Sequence, residues 1–189
     1  MGITTLIVLA LLLVTAVYTI QIYNNLVRLK HAVARAWSNI DVSLKQRHDE
    51  LPKLVEVCKQ YMAYERETLE RVVRARAAVA QARRDLDLRA LGAAETDLRA
   101  GLGQLFALAE NYPDLKANEG FRQLSQRISH LEDTIADRRE LYNDSVNLHN
   151  VRIEQFPDLV VARFMNARPC DLLEFAQERA DVDIKTLFG

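Results

Sequence analysis

From Ile3 to Ile20 no side chain is charged and nearly all are apolar; the first charged residue of the chain is Arg28. At ~1.5 Å per residue, this run with Gln21 to Leu26 added reaches the ~30 Å of a bilayer's hydrocarbon, so it predicts a membrane-spanning helix. Tyr18 and Tyr23 fall near its inner end, where amphipathic rings favour the interface. Beyond Leu26 the pattern becomes periodic. Leu26, Val33, Ile40, Leu54 and Tyr61 recur at multiples of seven, interleaved with Trp37, Leu44, Leu51, Cys58, Val72 and Val79. That is an a/d seam, predicting one helix from the membrane to about Ala80. Pro52 interrupts it, and Asp49-Glu50 offers a cap for a new helix there. A hairpin at residues 48–51 has no reason to preserve the phase of the seam, and the segment has no Gly. A kinked single helix is therefore expected.

A second helix is predicted from Asp87 to Asn111, with Leu91, Leu98, Leu102, Leu105, Phe106 and Leu108 on its apolar face, ended by Tyr112-Pro113. A third opens at Asn118-Glu119, carries Phe121, Leu124, Ile128, Leu131, Ile135 and Tyr142, and stops before Pro157. The tail holds apolar clusters too dense for a linker and is expected to pack on the bundle, with Asp171 as N-cap of a last short helix. Short connections impose antiparallel neighbours. The expected fold is all-α: a transmembrane anchor (1–26) continuing into an antiparallel bundle of three to four long helices (27–156), then a packed tail (157–189).

Composition narrows the function. Lys+Arg 25 against Asp+Glu 26 leaves no basic excess, which argues against nucleic acid as a partner. Six Gly and four Pro supply few turns for a β-protein. The N-terminus has no basic n-region and no A-x-A site, so the apolar run reads as an uncleaved anchor rather than a signal peptide. Arg28, Lys30 and Arg35 follow the run with no acid before Asp41. The positive-inside rule then sets the N-terminus outside and the bundle in the cytoplasm, at the inner membrane. Cys58 and Cys170 suit a reducing compartment, although a single disulfide outside it fits as well.

Catalytic chemistry is hard to find. None of His31, His48, His130 or His149 follows a Glu by three residues, and there is no H-E-x-x-H, C-x-x-C, phosphate loop or nucleophile elbow. No enzyme activity and no cofactor are expected; a metal or catalytic site around His48-Asp49 is the alternative. Charged residues on the seams are read instead as buried polar layers that fix register: Arg47 and Glu65 on the first seam, Arg138 and His149 on the third. The Arg-rich run from Arg71 to Arg84 is diluted by acids and reads as a solvated face. A continuous first helix of roughly 80 Å would outrun a second helix of about 37 Å, exposing Val33, Trp37, Ile40 and Leu44. A homo-oligomer with contacts at those four residues is expected, with membrane lipid along residues 3–26 and protein partners unknown.

Three blocks carry a resemblance. They are Ala36-Trp37-Ser38-x-Ile40-Asp41-Val42-x-Leu44-Lys45-x-Arg47-His48-Asp49-x-x-Pro52, then Glu110-x-Tyr112-Pro113-x-Leu115-Lys116-Ala117-Asn118-Glu119-x-Phe121, then Arg139-x-x-Tyr142-Asn143-x-x-Val146 with Phe156-Pro157. In this order they resemble the LemA family. The resemblance implies one N-terminal membrane helix and a bundle of long helices, and implies no particular activity; some members are associated with magnetosome membranes. The function expected is a structural, scaffolding or interaction role at the membrane.

Overall fold

The computed structural model describes residues 2–175. Among them are α1 (Ile3–Tyr61), α2 (Arg66–Asp85), α3 (Leu88–Ala109), α4 (Pro113–Ala117), α5 (Glu119–Glu154) and α6 (Asp158–Phe164), and no strand. The chain is all-α with a long apolar N-terminal helix, as its patterning predicts. It divides into two compact units. The first joins Met1–Ser38 to Leu141–Leu172; the second joins Asn39–Glu140 to Leu173–Gly189. Both α1 and α5 serve each unit, so packing divides the chain at other places than the sequence partition at residues 26 and 156.

In the second unit, α1 runs through Pro52 without a break and ends at Tyr61. The expected continuation to about Ala80 is incorrect. The chain turns at residues 62–65, and α2 doubles back along α1: Arg76 meets His48, and one turn or two further along Arg83 meets Asp41. Tertiary contacts hold this turn, since Met62 is wholly buried in it, Asn118 donates to the Tyr61 hydroxyl and Tyr112 donates to Glu65. The buried residues of α2 are Thr68, Leu69, Val72, Ala75, Val79 and Ala82, so the heptad phase survives the reversal. At the other end of α2, Leu86 takes a left-handed conformation (φ 54°), and Asp87 caps α3 by accepting from the amides of Arg89 and Ala90. Then α3 packs closely on α2, with Gly101 against Val72. Pro113 begins α4, and the Asn118 side chain accepts from the Phe121 amide at the start of α5. The α5 helix lies antiparallel to α1, its Arg127 on Glu50 and its Arg138 on Ser43 and the Asn39 carbonyl. The core between these helices is mainly leucine: Leu44, Leu51, Leu54, Leu91, Leu98, Leu102 and Leu105 are at most 2% exposed.

The first unit is smaller. Residues 3–20 of α1 are exposed on every face, and burial starts at Ile22. Ile22 and Leu26 form a core with Ile153 of α5 and Ala162 of α6, extended by Val161, Met165 and Ala167. Higher up, Val33 is buried and Trp37 packs on Tyr142 with ring centroids 5.8 Å apart. After α6, Asn166 adopts φ 52° and the chain runs on without helix along α5. There Asn150 holds Cys170 from both sides, donating to its carbonyl and accepting from its amide at 2.9 Å each. Tyr142 donates to the Asp171 carbonyl at 2.9 Å, and His149 faces the Arg168 carbonyl. Residues 171–175 are not helical; a helix beginning after Asp171 would otherwise fall outside the described residues.

Candidate functional site

The most unusual chemistry lies in the core of the second unit. Arg47 is 1% exposed. Its Nη2 pairs with Glu95 of α3, itself 1% exposed, and its Nη1 lies 2.7 Å from Glu132 Oε1 on α5. The second oxygen of Glu132 faces Arg99 at 3.6 Å. Two guanidinium groups and two carboxylates therefore alternate, and their charges cancel. Burial works against the charge on Arg47, but Glu95 and Glu132 more than offset it, and its pKa is raised. Burial also raises the pKa of Glu95, outweighing the opposing pull of Arg47. A buried guanidinium fork bridging two helices suits the fixing of register between α1, α3 and α5. Both terminal nitrogens of Arg47 are engaged by carboxylates, while its Nε is buried with no hydrogen-bond partner.

One turn on, Pro52 has no amide hydrogen, which deprives the His48 carbonyl of its partner four residues ahead. Arg76 of α2 supplies it: Nε donates to the His48 carbonyl at 2.9 Å, and Nη2 lies 2.8 Å from His48 Nε2. The proline thus exposes a backbone acceptor that a neighbouring helix reads. Burial and the adjacent Arg76 push the His48 pKa below its ordinary 6.5, against a smaller opposing effect of Asp49. This surrounding is cationic, which is unfavourable for a metal ion. Among the described residues no three His, Cys, Asp or Glu side chains cluster to hold one. The alternative site at His48-Asp49 gains nothing from the geometry.

The other candidate residues are placed as follows. Glu65, expected in a buried layer, is half-buried at the turn before α2, because α1 has already ended. Arg138 is also half-buried and reaches Ser43, which is fully buried. His149 is 4% exposed and lies in the first unit, facing backbone rather than a carboxylate. Val33, Ile40 and Leu44 are 8%, 0% and 2% exposed within a single chain, and Trp37 is half-buried against Tyr142. The four-residue oligomer contact is therefore corrected: α5 lies antiparallel to α1 and covers the seam that a shorter second helix would have left open. Both cysteines are free, and burial pushes the Cys58 thiol up to about 11.

Glu95 and Glu132 were missed as partners of Arg47. Glu95 had a legible signal, since it lies on the seam between Leu91 and Leu98 where a carboxylate stays only if paired. Phe175, one of the tail's apolar residues expected to pack, is 3% exposed, and its arginine partners were not foreseen: Arg139 lies over its ring at 4.2 Å and Arg99 at 5.5 Å. The backbone beside it passes so close to α3 that a Cβ at Gly92 would lie 2.0 Å from the Glu174 carbonyl oxygen.

The sequence profile of the LemA family matches residues 36–188. Protein LemA of Metamycoplasma hominis is 28% identical over 165 residues, which are 87% of this chain and 74% of that protein. The magnetosome proteins MamQ 2 and MamQ 1 of Paramagnetospirillum magneticum are each 32% identical over 69 residues, 36% of this chain and 25% of theirs. The three sequence blocks that carry the resemblance fall on the contacts described above: Arg47, His48 and Pro52 on α1, Tyr112 and Asn118 at the turn, and Arg139 and Tyr142 on α5.

Proposed function

Because this chain belongs to the LemA family, we propose that it is a single-pass membrane protein whose helical bundle serves as a scaffold for protein interaction, not as an enzyme. The observation that carries this reading is the change of character along α1. Residues 3–20 are apolar and exposed on all faces, while the same helix from Ile22 on supplies the buried seam of a bundle. A helix exposed and apolar all round is stable in lipid and not in water. The pairing of ionisable groups supports a structural role, since Arg47 is engaged by Glu95 and His48 by Arg76. Self-association at the membrane belongs to the proposal, through a surface other than the seam that the chain covers itself. The proposed orientation has the bundle in the cytoplasm, on the side of Arg28, Lys30 and Arg35.

The experiment is extraction of membranes at alkaline pH, with mass measurement of the intact chain and of its complexes in mild detergent. A membrane-retained chain with residues 3–20 intact, larger than one copy, is expected. A chain cleaved near residue 20 and recovered without membrane would refute the anchor, and a strictly monomeric one would refute self-association.

A further inference from the structure

We propose that α6 lies in the interfacial layer of the membrane, with Phe156, Val160 and Phe164 embedded among the phospholipids of the leaflet that α1 enters. The proposal rests on the reading of α1 as an anchor. It is independent of which side the bundle occupies.

The two faces of α6 are both committed. Asp158 and Ala162, four residues apart, are 4% and 2% exposed and face the core with Ile22 and Leu26. On the opposite face Val160 and Phe164, again four residues apart, are 49% and 90% exposed, and Phe156, in the turn before α6, is 79% exposed. A short helix with one face buried in protein and apolar side chains exposed on the other and at its start has the composition of a segment that lies at a membrane surface. Its depth follows from its partners. Ala162 packs with Ile22, the first buried residue after the fully exposed apolar run, so α6 sits where hydrocarbon gives way to headgroups. Aromatic rings are favoured at that level, and Tyr23 is exposed there too.

A groove of ≈ 710 Å³ runs between α1 and α6. Ile20, Tyr23, Val161 and Phe164 line its apolar part, and Lys30 and His31 line it further along α1. No acidic side chain lines it. The one acid of α6, Asp158, is turned inward and paired with Arg152 at 3.1 Å. Apolar walls leading to an ammonium suit an acyl chain and its phosphate, and the continuity of this surface with the exposed span of α1 favours lipid over a second copy of the chain.

The test uses the full chain in phosphatidylcholine–phosphatidylglycerol vesicles whose acyl chains carry bromine near the glycerol or near the methyl end. Wild type, with Trp37 as its only indole, supplies the reference. Leu12→Trp reports the anchor, and Phe164→Trp reports α6. Phe164 is exposed, so its replacement leaves the fold intact. The indole added by Phe164→Trp is expected to lose emission to shallow bromine more than to deep bromine, and that added by Leu12→Trp the reverse. Quenching of Leu12→Trp but not of Phe164→Trp would overturn the inference while sparing the anchor. A blue-shifted Phe164→Trp emission indifferent to bromine would mean that a protein surface covers α6, which also overturns it. If neither is quenched, the anchor reading fails and takes this one with it.

Discussion

Arg47 carries a permanent charge into a core that is otherwise mainly leucine, and its two carboxylates come from helices far away in sequence. Removing one member of such a network orphans a buried charge, which costs about 3–5 kcal/mol. Arg47→Ala is therefore expected to lower the melting temperature by on the order of 10 °C. Replacing the whole set, Arg47→Met with Glu95→Leu and Glu132→Leu, is expected to recover most of that loss, since apolar packing substitutes well for buried ion pairs. An Arg47→Ala melt identical to wild type would mean that the network is not stabilising. His48 gives a pH signature. Its folded pKa lies below 6.5, so the unfolded chain takes up the proton first as pH falls. The stability associated with neutral His48 is present above that value and is lost as pH drops below it. Melting temperatures taken downward from neutral pH should fall, and less so in His48→Gln; equal slopes in the two proteins would remove His48 as the cause.

The pairing of Pro52 with Arg76 makes a prediction about helices rather than side chains. Arg76→Ala leaves the part-buried His48 carbonyl without its protein donor, at a cost of about 1 kcal/mol, the low end of the penalty for an unsatisfied acceptor. Pro52→Ala restores the amide that the helix itself would use. In that background Arg76→Ala should cost about 1 kcal/mol less, a coupling that chemical denaturation of the four proteins measures. Strict additivity would show that the two residues act separately. The same stretch shows what the sequence could and could not reveal about elements. The limits of α3 and α5 were legible because Asp87, Pro113, Asn118 and Pro157 punctuate them. The turn at residues 62–65 has no Gly or Pro, and its seam stays in phase on both sides. Periodicity records which face is buried and not the direction in which the next helix runs. Tertiary contacts define that reversal, among them those of Tyr112 and Asn118, nearly fifty residues or more away. The site was legible to the same degree. Arg47 stood out as a charge on a seam, whereas the identity of its partners depended on how the helices associate.

For the whole molecule, the covered seam changes what a mutation there would do. Trp37→Glu with Ile40→Glu would not simply separate copies, because Ile40 is fully buried in one chain. A carboxylate there would remain unpaired in the core, so the double variant is expected to unfold rather than dissociate, with loss of far-UV helicity as the readout. The orientation of the chain depends on other residues. Arg28, Lys30 and Arg35 are all exposed and precede any acid after the span. Positive charge next to a span resists translocation, and charges within about 15–20 residues of its end count most. A phosphatase that folds only after export, fused after Gly189, is therefore expected to be inactive, and a fluorescent protein that matures only in the cytoplasm is expected to emit. Replacing Arg28, Lys30 and Arg35 by Gln and adding lysines after Met1 should exchange the two results, because the span itself is symmetric in its apolar character. An active phosphatase on the unaltered chain would place the bundle on the outer side, and the free thiols Cys58 and Cys170 would then sit in an oxidising compartment.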